Sequence, residues 1–195
     1  MNKDRNNFFM QEAFKQAKKA LQINEVPIGA VVVFENKIIG EGFNQSIKNS
    51  DPTAHAEIIA INAAGNKKKN YRLVDCDLFV TLEPCMMCLG AIMHARIKNV
   101  YFATSDHKKG VCGGLIDLTL NKSLNHHCNF YKGLLGDESK NLLQQFFQEK
   151  RTKKTIHNDA RFFINMKTSL YYPSVPSTDV ISAQISYRYL DIALM

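Results

Sequence analysis

Two short segments constrain this sequence more than any other, because both carry residues that bind metal ions. The first is HAE, residues 55–57, and the second is PCMMC, residues 84–88. Imidazole and thiolate ligands together favour zinc over magnesium or calcium. Cys85 and Cys88 are three residues apart, so a helix that starts near Pro84 carries both sulfur atoms on one face. His55, Cys85 and Cys88 are therefore candidate zinc ligands.

The number of candidate ligands indicates a catalytic rather than a structural zinc site. A structural site uses four protein ligands, whereas a catalytic site uses three and leaves one position for water. Glu57 is close to His55 in the sequence but is a weak candidate for a fourth ligand. Zinc lowers the pKa of a bound water from about 15.7 to about 7, and a nearby carboxylate can move the proton of that water. HAE therefore fits a metal ligand beside a proton-transferring glutamate.

Alternating strand-like and helix-like segments predict an α/β fold. Apolar residues recur at helical spacing over residues 7–23, and β-rich runs on either side of Glu35-Asn36 predict a hairpin. Asp51 or Thr53 is expected to cap the helix that contains HAE. The pattern predicts a mixed or parallel sheet with helices on both faces. The remaining predicted elements are a helix over 55–64, a strand over 76–83, a helix over 84–95, a strand over 99–104, a strand over 127–134, and a helix over 137–151 with Leu142, Leu143, Phe146 and Phe147 on one face.

The distribution of charge divides the chain into two parts. The net charge of the 195 residues is +7. Residues 155–195 contain three basic and three acidic residues, so the whole excess lies in residues 1–154. We expect residues 1–154 to form one domain and residues 155–195 to be a C-terminal extension of unknown role that is poorly ordered. The excess of positive charge favours phosphate-rich partners.

The sequence gives no sign of export or of a membrane segment. The N-terminal residues lack the apolar core of a secretory signal, and no apolar run is long enough to span a bilayer. Five cysteines, an odd number, argue against a disulfide framework. We expect a soluble, cytoplasmic protein without a membrane partner.

The order of the two metal-binding segments is typical of one group of enzymes. HAE, 26 intervening residues and PCMMC together resemble the zinc-dependent nucleoside and nucleobase deaminases. Within this cytidine and deoxycytidylate deaminase superfamily, the chain is most similar to the bacterial tRNA-specific adenosine deaminases. The segments that carry the resemblance lie between about residue 8 and about residue 153, and they are VPIGAVVV, GFN, DPTAHAEI, TLEPCMMCLGAIMHARI, LNHH and DESKNLLQQFFQEKR.

The resemblance implies a fold and a set of zinc-site roles. The expected fold is a three-layer α/β/α fold of the cytidine deaminase type, with a central mixed sheet of about five strands flanked by helices. By the same resemblance, residues 1–154 are a zinc-dependent deaminase domain. One zinc ion per subunit is expected on His55, Cys85 and Cys88. Glu57 is expected to be the catalytic proton shuttle.

The resemblance also implies a reaction and partners. The reaction is the hydrolytic deamination of adenosine to inosine at the wobble position of a tRNA anticodon, by a zinc-activated water. Asn44 is expected to hydrogen-bond the base, and Asp106 to contact the RNA backbone near the target nucleotide. The family implies a homodimer whose two subunits both bind the tRNA anticodon stem-loop. Basic residues at suitable positions for RNA contacts are Lys108, Lys109, Lys150, Arg151, Lys153 and Lys154.

Two other functions would use the same residues. A deaminase of a free nucleobase or nucleotide, of the cytosine or guanine type, would keep the zinc ion and Glu57. A non-catalytic, zinc-stabilised RNA-binding protein would not need Glu57. The basic segment NKKKN, residues 66–70, fits a solvated helix end and an RNA contact equally well. A second metal site at HHC, residues 126–128, is disfavoured because adjacent strand residues point to opposite faces.

Overall fold

Five strands form one mixed sheet. They are β1 Gly29–Phe34, β2 Lys37–Phe43, β3 Asp77–Leu82, β4 Asn99–Thr104 and β5 Asn129–Lys132. Their spatial order is β2-β1-β3-β4-β5. β1 is antiparallel to both β2 and β3, whereas β3, β4 and β5 run parallel to one another. The structure is a computed structural model that describes residues 3–171, with side chains for residues 3–153 and for Thr155.

Helices cover both faces of this sheet. They are α1 Lys3–Gln22, α2 Ser46–Asn49, α3 Ala56–Lys68, α4 Met86–His94 and α5 Gly136–Tyr171. On one face, α1 packs Phe9 and Met10 against Val31 of β1 and Phe79 of β3. On the other face, α3 and α4 pack against the alternate strand residues, such as Val32. Neighbouring residues of each central strand therefore enter two different cores, and the predicted three-layer α/β/α fold is confirmed.

Glu35 and Asn36 form the turn between β1 and β2. Phe34 pairs with Lys37 across the turn, and both turn residues have positive φ, 46° and 59°. Positive φ at both central residues is typical of two-residue hairpins, because it matches the twist of the flanking strands. The predicted hairpin is therefore confirmed.

Glycines let two helices lie close against the sheet. A Cβ at Gly29 of β1 would overlap the backbone of α1 at Ala13. A Cβ at Gly42 of β2 would overlap the carbonyl oxygen of Ala56, in the first turn of α3. Since Ala56 directly follows His55, the contact at Gly42 helps to set the position of a candidate zinc ligand.

The last helix differs from the prediction in its length and in its buried face. It extends to Tyr171 rather than ending at residue 151, because no glycine or proline interrupts residues 137–172. Phe146 is buried, but Phe147 is 45% exposed. Adjacent helical residues are about 100° apart around the axis, so Phe147 leaves the face that Phe146 occupies. The prediction of a shared apolar face is wrong for Phe147.

The chain divides into two units, residues 1–148 and residues 149–195. The first unit contains all five strands and four complete helices. In the second unit, residues 149–171 are helical, and residues 172–195 of the predicted extension lie outside the described residues. Across the described residues, we find no helix with the length and apolar character that a bilayer crossing requires.

The close approach of α1 to the sheet can be tested by Gly29→Ala. We expect this change to lower the free energy of unfolding by about 1–3 kcal/mol, because the added methyl group meets backbone atoms that cannot rotate away. Urea unfolding of the zinc-loaded protein measures the change. Gly90→Ala in α4 is a matched control, because an added Cβ there meets no atom within 4 Å and alanine favours a helix. Equal stability of Gly29→Ala and the wild type would contradict the packing.

Candidate active site

Two helices on the same face of the sheet each begin at a candidate zinc ligand. His55 is the N-cap residue of α3, and Cys85 is the N-cap residue of α4. Both have extended backbone conformations, which turn the chain from a loop into the helix. Cys88 lies within the first turn of α4. The sequence therefore places all three candidate ligands at helix N-termini.

These N-termini bring the three ligand atoms together. His55 Nδ1 is 3.7 Å from Cys85 Sγ and 3.5 Å from Cys88 Sγ. All three atoms lie within 4.8 Å of one another. Tetrahedral zinc with the usual Zn–S and Zn–N lengths separates a sulfur and a nitrogen ligand by about 3.6 Å. The donor set therefore fits one zinc ion in both chemistry and spacing.

The two thiols influence each other's ionisation. A hydrogen bond with Cys88, assisted by His55 and opposed by burial, lowers the pKa of the Cys85 thiol to about 3. The same hydrogen bond, together with burial, raises the pKa of Cys88. The hydrogen bond to Cys85 also raises the pKa of His55. The protein alone therefore favours the thiolate form of Cys85 and opposes that of Cys88. A bound divalent cation would offset the cost of the second negative charge.

Glu57 lies beside the ligand group without being part of it. Its side chain is 4% exposed, and it shares a hydrogen bond with the Cys88 thiol. Burial raises the pKa of Glu57 to about 7. Among the described residues, the possible metal ligands that meet here are His55, Cys85 and Cys88. A carboxyl group with this pKa both accepts and releases a proton near neutral pH.

Asn44 caps α3 from a different part of the chain. It directly follows β2, and its Oδ1 accepts a hydrogen bond of 2.9 Å from the backbone N–H of Ala56.

 That Ala56 amide is the first of α3, so the Asn44 side chain satisfies a donor that the helix itself leaves unpaired. With Oδ1 held in this way, the other polar group of the Asn44 side chain is the Nδ2 donor.

The predicted cap of this helix is wrong. The Asp51 carboxylate instead accepts hydrogen bonds from the backbone N–H and the hydroxyl of Thr53, each 2.7 Å long. These bonds hold the pKa of Asp51 below its usual value. The helix begins after His55, so Asp51 and Thr53 are too early in the chain to cap it. They form a local turn that leads into the helix.

Asp106 lies in the loop that follows β4. Its Oδ1 accepts hydrogen bonds from the backbone N–H groups of Lys108 and Lys109, at 2.8 Å and 3.2 Å. The Lys109 charge is close enough to His55 to oppose the rise in the pKa of that histidine. The loop that carries Asp106 therefore lies near the candidate zinc ligands.

Two buried glutamates were not identified from the sequence as site residues. Glu25 Oε1 accepts hydrogen bonds from the backbone N–H groups of Ile47 and Lys48, at 2.7 Å and 2.8 Å. This contact holds the segment between Asn44 and the HAE helix. Glu83 does the same for the loop after β4. A glutamate that ends an apolar strand directly before PCMMC was the available signal for Glu83.

The HHC and NKKKN segments have structural contacts of their own. His126 Nε2 and Cys128 Sγ both lie within hydrogen-bond distance of the Ile97 carbonyl oxygen, at 2.8 Å and 2.9 Å. Within the part of the chain that the structure describes, neither residue belongs to a group of possible metal ligands.

Lys67 donates to the Ile38 carbonyl, and the Lys68 ammonium lies 3.5 Å from the ring centroid of Phe34. NKKKN thus joins the far end of α3 to the β1–β2 hairpin.

Comparison with known proteins identifies the family. Residues 3–104 match the family model of the cytidine and deoxycytidylate deaminase zinc-binding region. A tRNA-specific adenosine deaminase of Haemophilus influenzae is 46% identical over 148 residues, which are 75% of this chain and 86% of that protein. The chain belongs to the tRNA-specific adenosine deaminase family.

Other members of the tRNA-specific adenosine deaminase family extend the comparison. The enzyme of Buchnera aphidicola is 45% identical over 153 residues, 77% of this chain and 99% of that protein. A solved structure from a study of A-to-I editing by tRNA:A34 deaminases at the wobble position of transfer RNA is 38% identical, with a TM-score of 0.68. The match covers 70% of this chain and 99% of that one. The family therefore shares both the sequence and the fold of the first unit.

The zinc ligands can be tested by Cys88→Ala. We expect zinc affinity to fall by more than the roughly 10–100-fold that follows loss of a residue behind a ligand, because this change removes a ligand itself. Zinc content of the purified protein, measured by mass spectrometry, reports the loss. Cys128→Ala is the matched control, since its sulfur contacts the Ile97 carbonyl. Full zinc content in Cys88→Ala would rule out the proposed ligand set.

Proposed function

We propose that this protein catalyses the hydrolytic deamination of adenosine to inosine at the wobble position of tRNA anticodons. The observation that carries the proposal is the three-residue ligand group with Glu57 buried beside it. Three protein ligands leave one zinc coordination position for water, as in catalytic sites. The choice of substrate is supported by relatives that are tRNA-specific adenosine deaminases.

His55, Cys85 and Cys88 would hold one zinc ion per subunit. Zinc, when bound there, supplies a hydroxide nucleophile by lowering the pKa of water to about 7. Glu57 takes the proton of the water and delivers it to N1 of the adenine. It then carries a proton to the departing amino group, so that adenosine and water give inosine and ammonia. The burial that raises the pKa of Glu57 suits both steps.

Asn44 would connect the bound base to the metal ligands. Its Oδ1 holds the first amide of α3, and its Nδ2 would donate a hydrogen bond to an acceptor atom of the adenine. The residue that fixes the start of the His55 helix is then the same residue that orients the base. A fixed base keeps the reacting carbon close to the nucleophile, which is a large part of the rate gain in bound reactions.

The loop after β4 would contact the RNA backbone. Lys108 and Lys109 are exposed in this loop, and Lys109 lies within electrostatic range of His55. Asp106 organises the backbone that presents both lysines and would itself contact the RNA near the target nucleotide. The anticodon loop is unpaired, so moving its base into the site costs less than in a duplex.

We further propose a cytoplasmic homodimer in which residues 1–154 form the deaminase domain and residues 155–195 are a C-terminal extension. Exposed apolar side chains support an interface, since a monomer would leave them in water. They include Met86, Leu115, Ile116 and Leu120.

Glu57→Gln tests the catalytic role. We expect inosine formation to fall by at least about 10²–10⁴-fold, because the amide cannot move the proton, while zinc content stays unchanged. The substrate is an anticodon stem-loop with adenosine at the wobble position, and inosine is read by mass spectrometry of the nucleosides. Glu41→Gln, on an exposed glutamate of β2, is the matched control. Near-normal turnover of Glu57→Gln would exclude the shuttle, and loss of zinc would make Glu57 a ligand.

Salt dependence separates an RNA substrate from a free nucleobase. If three backbone phosphates are neutralised, we expect kcat/KM for the stem-loop to fall about twentyfold between 50 and 200 mM salt. Deamination of free cytosine or guanine would show no such dependence. Parallel assays with the stem-loop and with the free bases, at several salt concentrations, measure the difference. A salt-independent rate on free bases, with no inosine in the stem-loop, would favour the free-base deaminase instead.

A further inference from the structure

Glu83 joins the metal site to the loop after β4. It follows the last residue of β3 and precedes Pro84, two positions before Cys85. Its backbone N–H donates to the Thr104 carbonyl, which extends the pairing of β3 with β4 beyond the strand ends. Its side chain is 3% exposed. A carboxyl group is therefore buried at the point where the sheet, the zinc ligands and the loop meet.

Backbone N–H groups of the loop donate hydrogen bonds to both oxygens of this carboxyl group. Oε1 accepts hydrogen bonds from the N–H groups of Cys112, at 2.7 Å, and Gly114, at 2.8 Å. Oε2 accepts one from the N–H group of Asp106, at 2.9 Å. Such bonds to a carboxylate are about twice as strong as those between neutral groups. One side chain thus fixes both ends of the segment 106–114.

Two glycines make this arrangement possible. A Cβ at Gly110 or at Gly114 would overlap the Glu83 carboxyl group and the backbone of Asp106. The loop can close around the glutamate only because these positions carry no side chain. The path of the loop therefore needs both the Glu83 carboxyl group as acceptor and the absence of a Cβ at Gly110 and Gly114.

The loop is also attached to the backbone of the zinc ligand. Gly110 forms a β-bridge with Cys85, and the Val111 N–H donates to the Pro84 carbonyl at 3.1 Å. The segment between these contacts and Asp106 carries Lys108 and Lys109. Its position relative to the candidate zinc ligands is therefore set by these backbone contacts together with the hydrogen bonds to Glu83.

We propose that Glu83 is a positioning residue that holds segment 106–114 against the zinc ligands and so places Asp106 for RNA binding. Among the described residues, Glu83 is not in the group of possible metal ligands, and both of its carboxyl oxygens accept hydrogen bonds from loop amides. This inference rests on the proposed function for its kinetic test, but the loop contacts can be tested without a substrate.

Glu83→Gln is the first test, because an amide nitrogen replaces one of the two accepting oxygens. We expect KM for the stem-loop to rise about tenfold or more, as loss of a charge-assisted hydrogen bond predicts, with kcat changed less than KM and zinc content unchanged. Hydrogen exchange of the Asp106, Cys112 and Gly114 amides should become at least about tenfold faster. Glu83→Asp keeps the charge and shortens the reach, so it should give a smaller rise in KM. It also serves as the test variant if Glu83→Gln does not fold.

A double-mutant cycle with Asp106→Ala decides whether Glu83 acts through the loop. The two changes should raise KM by less together than the product of their separate effects, because Asp106 is already misplaced in Glu83→Gln. Multiplicative effects would overturn the proposal, as would a lower melting temperature with unchanged KM and exchange rates. Loss of zinc together with kcat would mean that Glu83 acts on the metal site instead. Glu41→Gln again serves as the control.

Failure of the proposed function would look different. If the wild-type protein forms no inosine in the stem-loop, the reaction or substrate is wrong. The exchange rates of the three amides, and the affinity of the stem-loop measured by fluorescence anisotropy, would still decide whether Glu83 holds the loop.

Discussion

The meeting of the α3 and α4 N-termini on one face of the sheet is the constraint on which the site depends. His55 and Cys85 are the N-cap residues of these helices, so a shift of either helix would separate the ligands. Gly42 brings the first turn of α3 close to β2, and Asn44 holds its first amide. The packing of the helices on the sheet therefore determines the spacing of the candidate metal ligands.

The same helix ends shape the electrostatics of the site. Unpaired amides at a helix N-terminus favour negative charge. At the start of α4, a hydrogen bond with Cys88, assisted by His55, lowers the pKa of the Cys85 thiol to about 3. Glu57, only two residues after His55, is buried instead, and its pKa rises to about 7. The pKa values of two acidic groups a short distance apart are thus moved in opposite directions, one by hydrogen bonds and the other by burial.

The parts of the site that the sequence predicts are those encoded locally. HAE and PCMMC carry the ligand residues within a few positions of their helix starts, and the hairpin turn is encoded by Glu35 and Asn36. The cap of α3 comes from Asn44, twelve residues before the amide that it binds, and periodicity contains no information on such a pair. The same is true of Glu83, whose partners lie 23 to 31 residues later. The length of α5 was predictable in principle, because no glycine or proline lies between Gly136 and Pro173.

The bonds to Glu83 come from backbone amides, and a backbone amide is the same whatever side chain the residue bears. Most positions in the loop can therefore be substituted without loss of its path, provided that Asp106, Gly110 and Gly114 remain. Substitutions at the other positions can then change the surface that the loop presents while its attachment beside Cys85 stays intact. The outer face of the loop and the group of candidate ligands beside it can therefore vary independently.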